Sequence, residues 1–157
     1  MTEVPAGNPF GTHIRARELT LKFLYACDLG QEGGPDAFET FATHEDIGGV
    51  VREHARELVR GVMREREAID TRLRAIAKNW TLERMAAIDR NVLRIGAYEL
   101  IHAEGTSPAL IIDSAIELSK RYSTEHSGRF VNGILDRVKD DLARARASAT
   151  PDSSEGS

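Results

Sequence analysis

The sequence predicts an all-α fold, a compact bundle of about seven helices in two small helical subdomains. Long segments repeat apolar residues at the 3.6-residue period of an amphipathic helix, and none sustains the alternation of a strand. Breaks containing glycine or proline separate those segments. The chain has 157 residues, 41% apolar and 29% charged, enough for one domain with a real core. Residues 1–12 read as a flexible N-terminus, 13–143 as the helical domain with subdomains 13–78 and 79–143, and 144–157 as a disordered tail.

The first helix is expected from His13 to Leu29, with Ile14, Leu21, Leu24, Ala26 and Leu29 as core candidates, and GQEGGP ends it. Pro35 suits the first turn of a short helix, PDAFETFAT, that offers Phe38 and Phe41. A third segment begins near Ile47, carries Val50, Val51, Ala55, Leu58, Val59, Val62 and Met63, and continues past a break near Glu67 through Ile69, Leu73 and Ile76. Thr81 reads as the N-cap of LERMAAIDRNVLRIGAYELIHA, whose crowded apolar positions mark a central, well-buried helix. Ser107-Pro108 is an N-cap and first-turn proline that opens ALIIDSAIELSKRYS.

The last segment, SGRFVNGILDRV, poses a choice, because Asn132-Gly133 is also a hairpin-turn dipeptide. Phe130, Val131, Ile134, Leu135, Val138 and Leu142 keep one helical face through it, so a helix is expected. Close packing of a neighbouring helix is the simplest reason for Gly133. Asn132, at the edge of the apolar face, is either a satisfied structural hydrogen-bonder or a group offered to a ligand.

Several function classes drop out. No apolar run approaches the roughly 18 to 20 residues of a membrane span, and the first residues lack the order of a signal peptide. The lone Cys27 cannot form an internal disulfide, which fits the cytoplasm and a small buried apolar role. His13, His44, His54, His102 and His126 lie in five separate segments with no metal-ligand spacing, and no glycine-rich phosphate loop follows a strand. Neither a cofactor nor an enzymatic activity is expected. A net charge of −4 argues against a bulk nucleic-acid coat but leaves room for a local patch. Between Lys120 and Lys139 the basic residues Lys120, Arg121, Arg129, Arg137 and Lys139 outnumber Glu125 and Asp136. The first helix opens with His13, Arg15 and Arg17, followed by Lys22 and Tyr25, residue types that pair with phosphates and stack on bases. The alternative is an ordinary solvated helix start.

RARELTLKFLYACDL, AAIDRNVLRIGAYEL and DSAIELSKRYSTEHSGRFVNGILDRV together resemble the NusB family of bacterial transcription antitermination factors, in order and spacing, from about Arg15 to Val138. The resemblance implies an all-helical, non-enzymatic protein that binds the single-stranded boxA element of nascent ribosomal RNA. It implies as partners the small-subunit ribosomal protein NusE and the antitermination complex of RNA polymerase with other Nus factors. Carried over by position, Arg15 and Arg17 match the arginine-rich N-terminal motif, Tyr25 its aromatic, and Phe130 and Asn132 the FVNG motif with Arg129 beside them. Glu83, Asp89 and Arg90 fall at the family's RNA and partner surface. Ile14 interrupts the arginine cluster here, which implies weak RNA binding without the partner. The family includes chains that self-associate and chains that do not, so a homodimer stays open. Two other readings are a NusB-like module of an RNA methyltransferase and a helical interaction module with no RNA role.

Overall fold

The computed structural model describes residues 9–30, 36–45, 47–78, 81–102 and 106–149, without the side chains of 9–13 and 125. Among them the chain forms seven α-helices and no strand: α1 (Pro9–Asp28), α2 (Ala37–Thr43), α3 (Gly49–Arg64), α4 (Arg66–Ile76), α5 (Ala87–His102), α6 (Pro108–Tyr122) and α7 (Glu125–Ala149). A single 3-10 turn, Leu82–Arg84, precedes α5. None of the helices is long and apolar enough to cross a membrane.

The expected central helix is α5, which packs against α1, α3, α4, α6 and α7. Every residue from Asn91 to Ala97 is buried, as a helix enclosed on all sides requires. Two glycines allow this crowding. A Cβ on Gly96 would lie 2.7 Å from a Leu135 methyl of α7, and one on Gly61 of α3 would lie 2.1 Å from the Tyr98 hydroxyl of α5. On the other side, Phe23 of α1 meets Phe38 and Phe41 edge-on, at 5.6 and 5.4 Å between ring centres, and pins α2 to the bundle. The division expected at residues 78 and 79 falls after α4, and α1 and α4 both pack across it onto α5.

Several boundaries differ from expectation. α1 starts at Pro9, inside the segment read as a flexible N-terminus, and ends at Asp28 ahead of Gly30 in the left-handed region (φ 109°). Leu29 and Val50, read as core, are two-thirds exposed, because Leu29 lies past the helix end and Val50 faces outward in the first turn of α3. The break before α4 comes at Glu65, two residues before the expected Glu67. Thr81 precedes only the 3-10 turn and caps nothing with its side chain. Extended backbone at Met85 (ψ 153°) stops that turn, and Leu82 and Met85 are buried there as plugs before α5 begins. Ser107 does cap α6, its hydroxyl accepting from Ala109 N at 3.1 Å and Leu110 N at 3.4 Å. α7 runs on to Ala149, six residues into the segment read as a tail, on exposed helix formers such as Ala145 and Arg146. Pro35 and the GQEGG stretch before it lie beyond the described residues, apart from Gly30.

Candidate nucleic-acid interface

Along its outer side α7 borders three grooves that share walls. The first, about 270 Å³, lies between the 3-10 turn, the start of α5 and the start of α7, and is lined by Arg84, Met85, Asp89, His126, Ser127 and Phe130. The second, about 340 Å³, collects Ile116, Lys120, Gly128, Arg129 and Asn132. A third runs from the end of α4 past Arg129 and Phe130. Phe130 therefore walls the first and third, and Arg129 the second and third. Two positions apart on one helix, Phe130 and Asn132 face different grooves.

Asp89 is held by its own hydrogen bonds on one side only. Ser127 donates to its Oδ2 at 3.0 Å and is itself tied to the Ser123 and Thr124 hydroxyls at 2.9 and 3.2 Å, which locks the α6–α7 corner onto α5. The other oxygen, Oδ1, is buried and finds no donor among the described residues. A buried acceptor left unpaired costs about 1–3 kcal/mol. Phe130 beside it is half-buried, its ring against the core and one edge on the groove.

The other sequence-derived candidates divide. On α1, Arg15, Glu18, Lys22 and Tyr25 fall on one stripe, with Glu18 held by Arg121 and Tyr122 of α6. Arg15 and Lys22 are exposed, Lys22 with only a loose contact to Glu45 at 3.5 Å, and Tyr25 is half-buried. The His13 side chain lies outside the described residues. Arg17 is corrected. It is 3% exposed and turned inward, its Nε and Nη2 donating to the two Glu99 oxygens at 2.6 and 2.8 Å and its Nη1 to Ser114 Oγ at 3.0 Å. One residue from Ala16 and two from Leu19, it sits on the buried face, where its charge joins α1 to α5 and α6 and is closed to a phosphate.

Arg90 is half-buried and has structural partners as well. Its guanidinium donates to Asp28 Oδ2 at 2.9 and 3.1 Å and to the Leu82 and Met85 carbonyls at 3.2 Å, clamping the 3-10 turn to the end of α1. Asn91 also donates to Asp28 at 2.9 Å, and Arg94 reaches Asp70 of α4 bidentately at 2.8 and 3.0 Å. Burial alone would raise the Asp28 carboxyl, but hydrogen bonds from Arg90 and Asn91 and the charges of Arg90 and Arg94 outweigh it and hold its pKa below the ordinary value. Glu83 is exposed and paired with Arg74 at 2.6 Å, and that hydrogen bond lowers its pKa. Gly133 lacks the close packing of a neighbouring helix expected of it. It is exposed, and a Cβ added there would meet nothing within 4 Å. The close helix contacts belong instead to Gly96, Gly61 and, more loosely, Gly128.

The NusB family profile matches residues 14–140, which take in α2 to α6 whole and most of α1 and α7. The chain belongs to the NusB family. A transcription antitermination protein NusB of Sorangium cellulosum is 42% identical over 134 residues, covering 85% of this chain and 96% of that protein. One of Anaeromyxobacter dehalogenans is 44% identical over 133 residues, covering 84% and 93%. Among solved structures, NusB of T. maritima superposes with a TM-score of 0.75 at 35% identity, covering 81% of this chain and 89% of that one. A chain in a complex of antitermination factors NusB and NusE with double-stranded RNA does so with a TM-score of 0.75 at 29% identity, covering 83% and 97%.

Within this NusB-family chain, sequence reading missed Arg84, His126 and Ser127 as neighbours of Phe130 and Asp89, while Lys120, expected in the basic stretch with Arg129, lines the groove of Asn132. His126 was findable, since it precedes Phe130 by one helical turn. Arg84 was not, because only the tertiary fold brings the 3-10 turn to α7. A separate cleft of about 240 Å³ between α1, α3 and α5 holds His54, Glu57, Tyr98, Glu99 and His102. Among the described residues no group of three or more His, Cys, Asp or Glu is placed to hold a metal.

Proposed function

We propose that this chain is a transcription antitermination factor that binds the boxA element of nascent ribosomal RNA together with NusE, in the cytoplasm, and promotes processive transcription of ribosomal RNA operons. The observation that carries the RNA reading is the unpaired Oδ1 of Asp89 beside the Phe130 edge. A groove with an aromatic wall and an acceptor lacking its donor suits an unstacked base, which supplies a flat face and N–H groups. A paired duplex hides both, so single-stranded RNA is the ligand of this groove. Arg129 and Asn132, with Lys120, take the strand on the far side of the α7 ridge, and Arg15, Lys22 and Tyr25 add contacts from α1. Arg17 and Arg90 serve the architecture that holds these surfaces. Glu83 and Asp89 are offered as the edge shared with the partner. The relatives' names, and the complex in which NusB, NusE and RNA occur together, support this reading.

Titration of boxA RNA and a scrambled RNA of equal length, at fixed salt, tests it. Preferential binding of boxA is expected, stronger with NusE present. Equal weak binding of both RNAs in every arm would leave a helical interaction module without an RNA role.

A further inference from the structure

The third groove leads away from the two assigned to boxA recognition. About 380 Å³ in size, it runs between the end of α4 and α7, with Ile76, Phe130 and Gly133 as floor and Lys78, Arg129 and Arg137 as rim. Among the described residues, no acidic side chain lines it. Lys78, Arg129 and Arg137 have no ion-pair partner among the described residues; of the acids nearby on α7, Asp136 pairs with Lys139 at 3.6 Å and Asp141 with Arg144, and exposed Asp140 is the one near Arg137 left without an ion pair. Arg129, Gly133 and Arg137 follow one another at i, i+4 and i+8, one stripe about 12 Å long on the helix surface. In the middle of that stripe Gly133 weakens the helix, and no neighbour packs into the space it leaves. Bare backbone between two arginines, open to solvent, is what a close-running chain of phosphates needs.

We propose that this groove carries the phosphodiester backbone of RNA flanking the recognised element, extending the footprint along α7 beyond Phe130. The inference rests on the proposed RNA function, and it follows from continuity: Phe130 walls both the base-binding groove and this one, so a strand leaving the first enters the second. Charge makes the occupant nucleic acid, since three unpaired cations around an apolar floor attract a polyanion without reading its sequence.

The test compares boxA RNA alone with boxA RNA carrying a short oligouridine extension at either end, bound to the full chain with NusE present. For the unaltered chain, an extension at one end should raise affinity and steepen the plot of log affinity against log salt by about 1.4, from two further phosphate contacts at roughly 0.7 each. The double variant Lys78→Glu/Arg137→Glu should bind bare boxA as before and gain nothing from either extension. Gly133→Gln should also lose the gain while its melting temperature rises, which separates occlusion of the groove from loss of charge. Equal affinity of bare and extended RNA for the unaltered chain would overturn the proposal, as would a double variant that loses bare boxA equally. Absence of boxA binding by the unaltered chain would instead overturn the functional reading beneath it.

Discussion

At the scale of single residues, identity was readable but direction was not. Arg15 and Arg17 are two positions apart and look alike in sequence, yet Arg17 lies on the buried face of α1 and Arg15 is exposed. Only the presence of Glu99 and Ser114 across the helix interface makes an inward arginine tolerable. Arg17→Ala should therefore lower stability by about 3–5 kcal/mol in urea melts, the cost of leaving a buried partner unpaired, and Arg15→Glu should leave stability unchanged. The glycines reverse in the same way. Gly133→Ala should raise stability by about 0.5–1 kcal/mol, because helix propensity improves where nothing is displaced. Gly61→Ala should cost about 1–3 kcal/mol, because the Tyr98 ring must leave its seat against α3. Phe130, half-buried, should show both kinds of effect on change to Ala. A loss of about 1–3 kcal/mol in RNA binding is expected, with a stability loss smaller than the 3–5 kcal/mol of a fully buried phenylalanine.

Among the helices, α5 was legible because its apolar residues crowd beyond one face. The partnership that holds it was not legible. Asp28, Asp70, Arg90, Asn91 and Arg94 come from three helices and meet only in the folded chain, so no spacing in sequence announces them. The start of α5 was misread for a related reason, since burial of Leu82 and Met85 overrode the capping signal of Thr81. The Asp28 carboxyl has a folded pKa below its unfolded value, so the unfolded chain takes up its proton first as pH falls. The stability it contributes is therefore complete above about pH 4 and is lost as pH drops through the lower folded value. Urea midpoints measured from neutral pH down to pH 3 should decline across that window. Asp28→Asn should lower the neutral plateau and flatten the acid decline. An unchanged acid limb would remove Asp28 from the clamp.

For the whole molecule, a net charge of −4 confines RNA binding to a limited surface, and composition indicated as much. Arg129 and Arg137 of α7 have no ion-pair partner among the described residues, while acids elsewhere are occupied by arginines, as in Glu39 with Arg56 and Glu18 with Arg121. A small patch releases few counterions, so the isolated chain should bind boxA weakly at physiological salt, and Arg15→Glu should reduce the salt slope by about 0.7. A partner with its own RNA contacts raises the affinity, and RNA then tightens the protein pair by the same factor. The most direct measurement is the affinity for boxA and for scrambled RNA at one salt concentration, with and without NusE. Binding of boxA at least about tenfold tighter than scrambled RNA, roughly 1.4 kcal/mol, and tightened further by NusE, is the predicted result; equal affinities for the two RNAs, unmoved by NusE, would contradict it.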